Sequence, residues 1–141
     1  MKSMYPSSFP EFASQPNGDA IEVVFVNGEV QQGLRSIRVF LPGEIVFRFT
    51  GIVSPEPTQH SLRLADSLHI HDPWVMGKVL HSCDPNMRVD MATLTFFATK
   101  LISSGELLTM DYASTEEYLF KCFVCQCGSN NCREFIRGTK Q

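Results

Sequence analysis

The chain of 141 residues carries 12 Lys and Arg against 15 Asp and Glu, a formal charge of −3 and a pI near 5.8. That length suits one domain with a core of its own, and the charge argues against direct nucleic-acid binding, which needs a basic stripe. No apolar run approaches the roughly 20 residues that span a bilayer, and the chain opens with no hydrophobic signal segment, so a soluble intracellular monomer without membrane contact is expected, cytoplasmic or nuclear.

Residues 1–18 hold Pro6, Pro10 and Pro16 among Ser, Asn and Gln, a composition that predicts a flexible segment running over the surface. The ordered domain is expected from Asp19. Runs of Val, Ile and Phe predict strands at Ala20 to Val26, Ile37 to Leu41 and Ile45 to Phe49, separated by turns at Asn27-Gly28 and Pro42-Gly43. Gln59 to Leu64 and Ser67 to Ile70 read as a hairpin turning at Ala65-Asp66. His69 and His71 alternate in that extended run without a third ligand, so they are not read as a metal pair. Two more strands are expected at Arg88 to Met91 and Thr93 to Thr99, then a turn at Ser103-Ser104-Gly105 and a strand at Leu107 to Met110. Ser114 to Phe120 predicts one short helix, capped by Ser114 with Glu116 and Glu117 near its N-terminus. Many short strands with Gly and Pro turns and little helix make a mainly β fold.

Three of the five cysteines, Cys125, Cys127 and Cys132, fall within eight residues. A structural Zn²⁺ takes four tetrahedral ligands, with thiolates at about 2.3 Å, and Gly128 supplies the tight turn that the close spacing requires. The fourth ligand is expected to be Cys83, in His81-Ser82-Cys83-Asp84-Pro85-Asn86, which would fold the C-terminus over the middle of the chain. An odd cysteine count and a reducing compartment disfavour disulfides. Cys122 is read as a partly buried free thiol.

Three segments in this order resemble the SET-domain protein lysine methyltransferases. They are His81 to Asn86, Gly105-Glu106-Leu107-Leu108-Thr109-Met110-Asp111-Tyr112, and Cys125 to Arg133, the last similar to the family's post-SET tail. Gly43-Glu44 followed by Gly51 matches the early strand pair, so the resemblance spans roughly residues 20 to 138. The lack of a pre-SET cluster makes the chain most similar to small stand-alone members. The resemblance implies a β-clip of short strands with a knotted-like C-terminal crossing, a SET domain over residues 19–120 and a zinc-binding tail over residues 121–141.

It further implies transfer of a methyl group from S-adenosylmethionine to a lysine ε-amine of a protein or peptide. By resemblance Tyr112 orients the reacting groups, and His81 serves through its backbone at the adenine edge. Gln32, Gly33, Leu34 and Leu80 also contact the cofactor, and Asn86 ties the crossing strands. Phe123 is expected to lie against the adenine once the zinc-held tail folds down, a stacking contact on the order of 1 kcal/mol. Phe49 and Met110 are expected in the substrate channel.

The match departs from the family pattern at four places. Gln31 stands where a first glycine is usual before Gly33, Leu80 replaces an Asn, Phe49 replaces a Tyr, and Met110 replaces Phe or Tyr. With no hydroxyl at residues 49 and 110, addition of two or three methyl groups is expected. Loss of polar contacts to the cofactor leaves a second reading open, a catalytically weak SET domain that binds a cofactor or partner. The sequence names no particular substrate.

Overall fold

A computed structural model describes residues 2–26, 28 and 31–141 of the chain. Twelve short strands are present among them: β1 (Ile21–Val26), β2 (Gln31–Ser36), β3 (Ile45–Arg48), β4 (Ile52–Ser54), β5 (Ser61–Ala65), β6 (Leu68–His71), β7 (Leu80–His81), β8 (Met87–Asp90), β9 (Thr95–Ala98), β10 (Thr109–Met110), β11 (Phe123–Val124) and β12 (Phe135–Ile136). The only helix among the described residues is two 3-10 turns, Met76–Lys78 and Tyr112–Ser114. The expected mainly β architecture is therefore present. No helix among the described residues is long and apolar enough to cross a membrane.

β1 and β2 form an antiparallel hairpin. Of its expected turn, Asn27 lies outside the described residues, and Gly28 has φ +68°. β3, β9 and β8 form one antiparallel sheet with β9 in the middle, and β4, β6 and β5 form another with β6 in the middle. The main core is rich in phenylalanine: Phe40, Phe47, Phe49 and Phe96 are all buried, and Phe96 packs its ring 4.9 Å from Phe47 and 5.4 Å from Phe49.

Three expectations are corrected. Ile37 to Leu41 is not a strand; only Phe40 pairs, in an isolated bridge with Ile102. The Ser36 hydroxyl donates to the Arg38 carbonyl and turns the chain there. The helix expected over Ser114 to Phe120 is absent, because the carbonyls of Glu116 and Glu117 are taken by the amides of Thr139 (3.1 Å) and Lys140 (2.9 Å). Asp111, not Ser114, caps the short turn before it, accepting the Ala113 amide at 3.0 Å.

The third correction concerns the N-terminal segment, which lacks regular structure yet is packed. Tyr5 is buried, stacks on Phe9 at 5.7 Å and meets the edge of Trp74, and its hydroxyl reaches Asp72. Prolines forbid a regular element here, but three aromatic rings, Tyr5, Phe9 and Phe12, have apolar surface to bury.

Residues 105 to 110 thread between two neighbours. At one edge Gly105 and Leu108 donate to the carbonyls of Ser36 and Leu34, at 2.7 and 2.8 Å. At the other, β10 runs parallel to β7, with Thr109 opposite Leu80 and Met110 opposite His81. Asn86 locks the crossing as expected: its Nδ2 donates to the Leu107 carbonyl at 2.9 Å, and its Oδ1 accepts from the Thr109 amide at 2.9 Å. Replacing it by Asp keeps the shape but removes the donor and places a charge in a buried position. Asn86→Asp is expected to cost about 1–3 kcal/mol in urea unfolding at neutral pH.

Candidate active site

The parallel contact of β7 with β10 puts the His81 ring beside Tyr112. His81 Nδ1 accepts the Tyr112 backbone amide at 3.1 Å, so the neutral imidazole carries its proton on Nε2, 3.5 Å from Cys83 Sγ. Burial pushes the His81 pKa down and Arg133 acts in the same direction, against the carboxylate of Asp111. The ring is thus a fixed acceptor that aims Tyr112. That side-chain role adds to the backbone role expected from the sequence.

The Tyr112 hydroxyl donates to the Val79 carbonyl at 2.6 Å. Burial pushes its pKa up to about 12, so the phenol stays a proton donor at neutral pH. Phe123, on β11, closes a three-ring cluster: its ring lies 5.6 Å from His81 and 5.9 Å from Tyr112, both edge-on, and His81 and Tyr112 are 5.2 Å apart. Edge-to-face contacts of this kind favour a fixed relative orientation.

A cavity of about 820 Å³ opens beside these rings, lined by Gln32, Leu80, His81, Met110, Tyr112 and Phe123 among others. That volume is within the range of small-molecule sites, roughly 300–1,000 Å³. Among the described residues its charged lining is Lys78, Lys121 and Glu116. Burial raises the Glu116 pKa, opposed by the Arg63 amide that the carboxylate accepts at 2.9 Å.

Of the residues expected at the cofactor and the substrate channel, Gly33, Leu34 and Phe49 lie outside the lining. Leu34 is buried in the core and gives its carbonyl to Leu108. Phe49 is also buried, against Phe96, and its amide donates to the Leu94 carbonyl at 2.9 Å. Gly33 backs the cavity wall: a Cβ there would stand 2.9 Å from Cδ1 of Leu80. The apolar Leu80 therefore fills the space that glycine leaves on the neighbouring strand.

Behind Phe123 the C-terminal tail gathers the four expected thiols. The Sγ atoms of Cys83, Cys125, Cys127 and Cys132 all lie within 4.8 Å of one another, and Gly128 adopts φ +75° in the turn between them. A regular tetrahedron with arms of about 2.3 Å has edges of roughly 3.8 Å, so the cluster is compatible with zinc. The sulfurs also receive donors suited to thiolates, the Arg133 amide on Cys83 and the Glu134 amide on Cys132, each at 3.4 Å. Burial pushes the Cys125 thiol up to about 12, whereas the Ser129 hydroxyl holds Cys127 down, to about 5. All five cysteines are free, and Cys122 is partly buried, with its Sγ 3.2 Å from Gln141 Oε1.

Two further residues join tail to core. The Arg133 guanidinium makes two bonds to Asp111, at 2.9 and 2.7 Å. Burial opposes ionisation of Asp111, but Arg133 and the Ala113 amide prevail and lower its pKa. Asn131 Nδ2 donates to the Cys83 carbonyl at 3.0 Å. Adjacency to Tyr112 and Cys132 was the only signal in the sequence for Asp111 and Arg133.

The SET domain family model matches residues 31–113, more than half of the chain. A methyltransferase of Aspergillus flavus, flvH, is 33% identical over 106 residues, which cover 72% of this chain and 60% of that protein. Human histone-lysine N-methyltransferase SETD2 is 41% identical over 64 residues, 41% of this chain and 2% of the relative. The chain thus spans less than two thirds of these relatives. Among solved structures, KRYPTONITE in complex with mCHG DNA and SAH superposes with a TM-score of 0.67 at 24% identity, covering 82% of this chain and 28% of that one. The methyltransferase domain of human SETMAR gives 0.62 at 20% identity, covering 84% and 58%. At these identities the structural likeness establishes the fold.

The Gly33–Leu80 contact can be measured directly. Gly33→Ala is expected to destabilise the chain by about 1–3 kcal/mol through overpacking, and by clearly less in a Leu80→Ala background. A double-mutant cycle from denaturant unfolding reads the coupling.

Proposed function

The chain belongs to the SET-domain family, and from that premise we propose that it transfers methyl groups from S-adenosylmethionine to the ε-amine of a lysine in a protein or peptide. The observation that carries this reading is the Tyr112 hydroxyl, partly buried and fixed on the Val79 carbonyl, at the wall of a cavity shared with His81 and Phe123. In support stand the histone-lysine methyltransferases among the relatives and a superposing structure solved with SAH. Leu80, whose lack of an amide left open a binding domain without efficient catalysis, has a packing role over Gly33.

S-adenosylmethionine supplies a sulfonium methyl that only an unprotonated amine can attack. In water a lysine with a pKa near 10.4 is almost wholly protonated at neutral pH, and a cavity walled by Leu80, Met110 and Phe123 lowers that pKa by desolvation. The nitrogen lone pair forms the new N–C bond as the S–C bond breaks with its electron pair on sulfur. The proton left on nitrogen passes to water. Tyr112 takes no part as a base, since its phenol is held protonated; it orients the reacting groups in line. His81 keeps Tyr112 aimed, and Phe123 offers a ring for the adenine. Met110 borders the space available to the methylated amine.

The tail's four thiols would hold one Zn²⁺, which adds no chemistry to the transfer but holds β11, and so Phe123, over the cavity. Such an ion contributes folding energy only where the ligands converge.

Two outcomes test this. Tyr112→Phe is expected to lower methyl transfer at least about a hundredfold, the scale of a lost transition-state orienting group, with cofactor binding by calorimetry unchanged. The rate should rise with pH as the lysine loses its proton, with no descending limb from Tyr112 in the ordinary phenol range. Retained activity in Tyr112→Phe would refute the assigned role.

Metal analysis is expected to find one zinc per chain, retained in Cys122→Ser and lost in Cys83→Ser. Chelation should loosen residues 121–137 ahead of the β core in hydrogen exchange. Full protection of the tail after chelation would leave the four cysteines without this role.

A further inference from the structure

The N-terminal segment reaches the catalytic tyrosine through a chain of hydrogen bonds. Tyr5 is 7% exposed, and its hydroxyl donates to Asp72 Oδ2 at 2.6 Å while accepting the Thr50 amide at 3.0 Å. Asp72 is wholly buried, and four donors share its carboxylate. The amides of Trp74 and Val75 bond to Oδ1 at 2.9 and 3.0 Å; the Met76 amide, at 3.0 Å, joins Tyr5 on Oδ2. One carboxylate therefore sets the path of residues 74 to 76.

That path leads straight into the 3-10 turn Met76–Lys78. The turn is held at its start by the Gly77 amide on the Asp72 carbonyl (2.7 Å) and at its end by the Val79 amide on the Met76 carbonyl (3.0 Å). Directly after the turn stands the Val79 carbonyl, which takes the Tyr112 hydroxyl. Gly77 admits no slack, since a Cβ there would stand 2.4 Å from the Asp72 carbonyl oxygen.

We propose that Tyr5 is a positioning residue for Tyr112, holding through Asp72 the turn whose Val79 carbonyl fixes the Tyr112 hydroxyl. Without the Tyr5 hydroxyl, Asp72 Oδ2 keeps a single donor in a place shut off from water. The carboxylate then rotates to recover partners, and the amides of residues 74 to 76 follow it. The Tyr5 ring is held independently, by Phe9, Phe12 and Trp74, so Tyr5→Phe removes the hydroxyl and leaves the packing.

The kinetic part of this inference rests on the methyl-transfer reading; the structural part does not. The chain has three tyrosines, and labelling them with ¹³C at Cζ reports the hydrogen bond of each phenol. In Tyr5→Phe the Tyr112 resonance is expected to shift and that of exposed Tyr118 to stay. With a lysine peptide pool, kcat should fall about tenfold, as for a loosened orienting group, with KM for S-adenosylmethionine unchanged. Asp72→Asn, whose amide nitrogen accepts no bond from Tyr5, should move the same resonance, and reads the link if Tyr5→Phe does not fold. Val46→Ala, a truncation within β3, is the control for general loss of stability and should leave Tyr112 unmoved. An unshifted Tyr112 resonance in the folded Tyr5 or Asp72 variant, or an equal shift in Val46→Ala, would overturn the proposal. A shift specific to Tyr5→Phe and Asp72→Asn in a protein that transfers no methyl group would sustain the structural link and sink the methyl-transfer reading alone.

Discussion

Two residues of parallel β-ladder, Leu80–His81 against Thr109–Met110, are the contact on which the rest of the site depends. A parallel pair cannot be closed by a hairpin, so the chain leaves β7, builds β8 and β9, and returns to lay β10 beside it. So short a ladder contributes little by itself. It persists because Asn86 satisfies a carbonyl and an amide of the returning segment, and because Leu108 and Gly105 are bonded on the other side to the β1–β2 hairpin. The register sets His81 opposite Met110, which places the His81 ring acceptor under the Tyr112 amide.

The tail is built on a different physical basis. Its regular structure is two strands of two residues, and its buried apolar content is a small cluster in which Ile136 sits with Cys83 and Cys125. So little burial does not offset the entropy of ordering some twenty residues. Four thiols from two distant segments converge there, and the Arg133–Asp111 pair ties the tail to the core. Arg133 is half-exposed, so its ion pair alone is modest; its value is geometric, since one end of the pair abuts Tyr112 and the other Cys132. Phe120 and Val124 line the cavity while 61% and 68% exposed, apolar surface that a bound ligand would cover.

Much of the sheet was legible. Strands β1, β3, β5, β6, β8 and β9 follow runs of Val, Ile, Leu and Phe, where a period-2 pattern and β-branched side chains agree with burial. The failures have physical causes. β2 begins Gln31-Gln32-Gly33, which has no strand signal, and is extended because β1 pairs with it along its length. Ile37 to Leu41 has the composition of a strand but forms a β-bridge only at Phe40. Ser114 to Phe120 has caps and charges suited to a helix, yet residues 139 and 140 take its carbonyls. The N-terminal residues look disordered by composition, and only the three-dimensional neighbourhood of Trp74 and Asp72 gives Tyr5 and Phe9 somewhere to go.

Sequence alone determined the candidate groups: three cysteines within eight residues, a tyrosine after Gly105-Glu106, and a β fold with almost no helix. Those follow from residue type and local spacing, which act over a few bonds. Tertiary structure decided which groups meet. It turned the His81 ring toward the Tyr112 amide, drew Phe49 and Leu34 into the core instead of the cavity, fitted Leu80 over Gly33, and tied the N-terminal segment to the turn that ends at Val79. Each is a contact between residues distant in sequence, and their partners are set by packing and hydrogen-bond satisfaction across the whole fold, which no local pattern encodes.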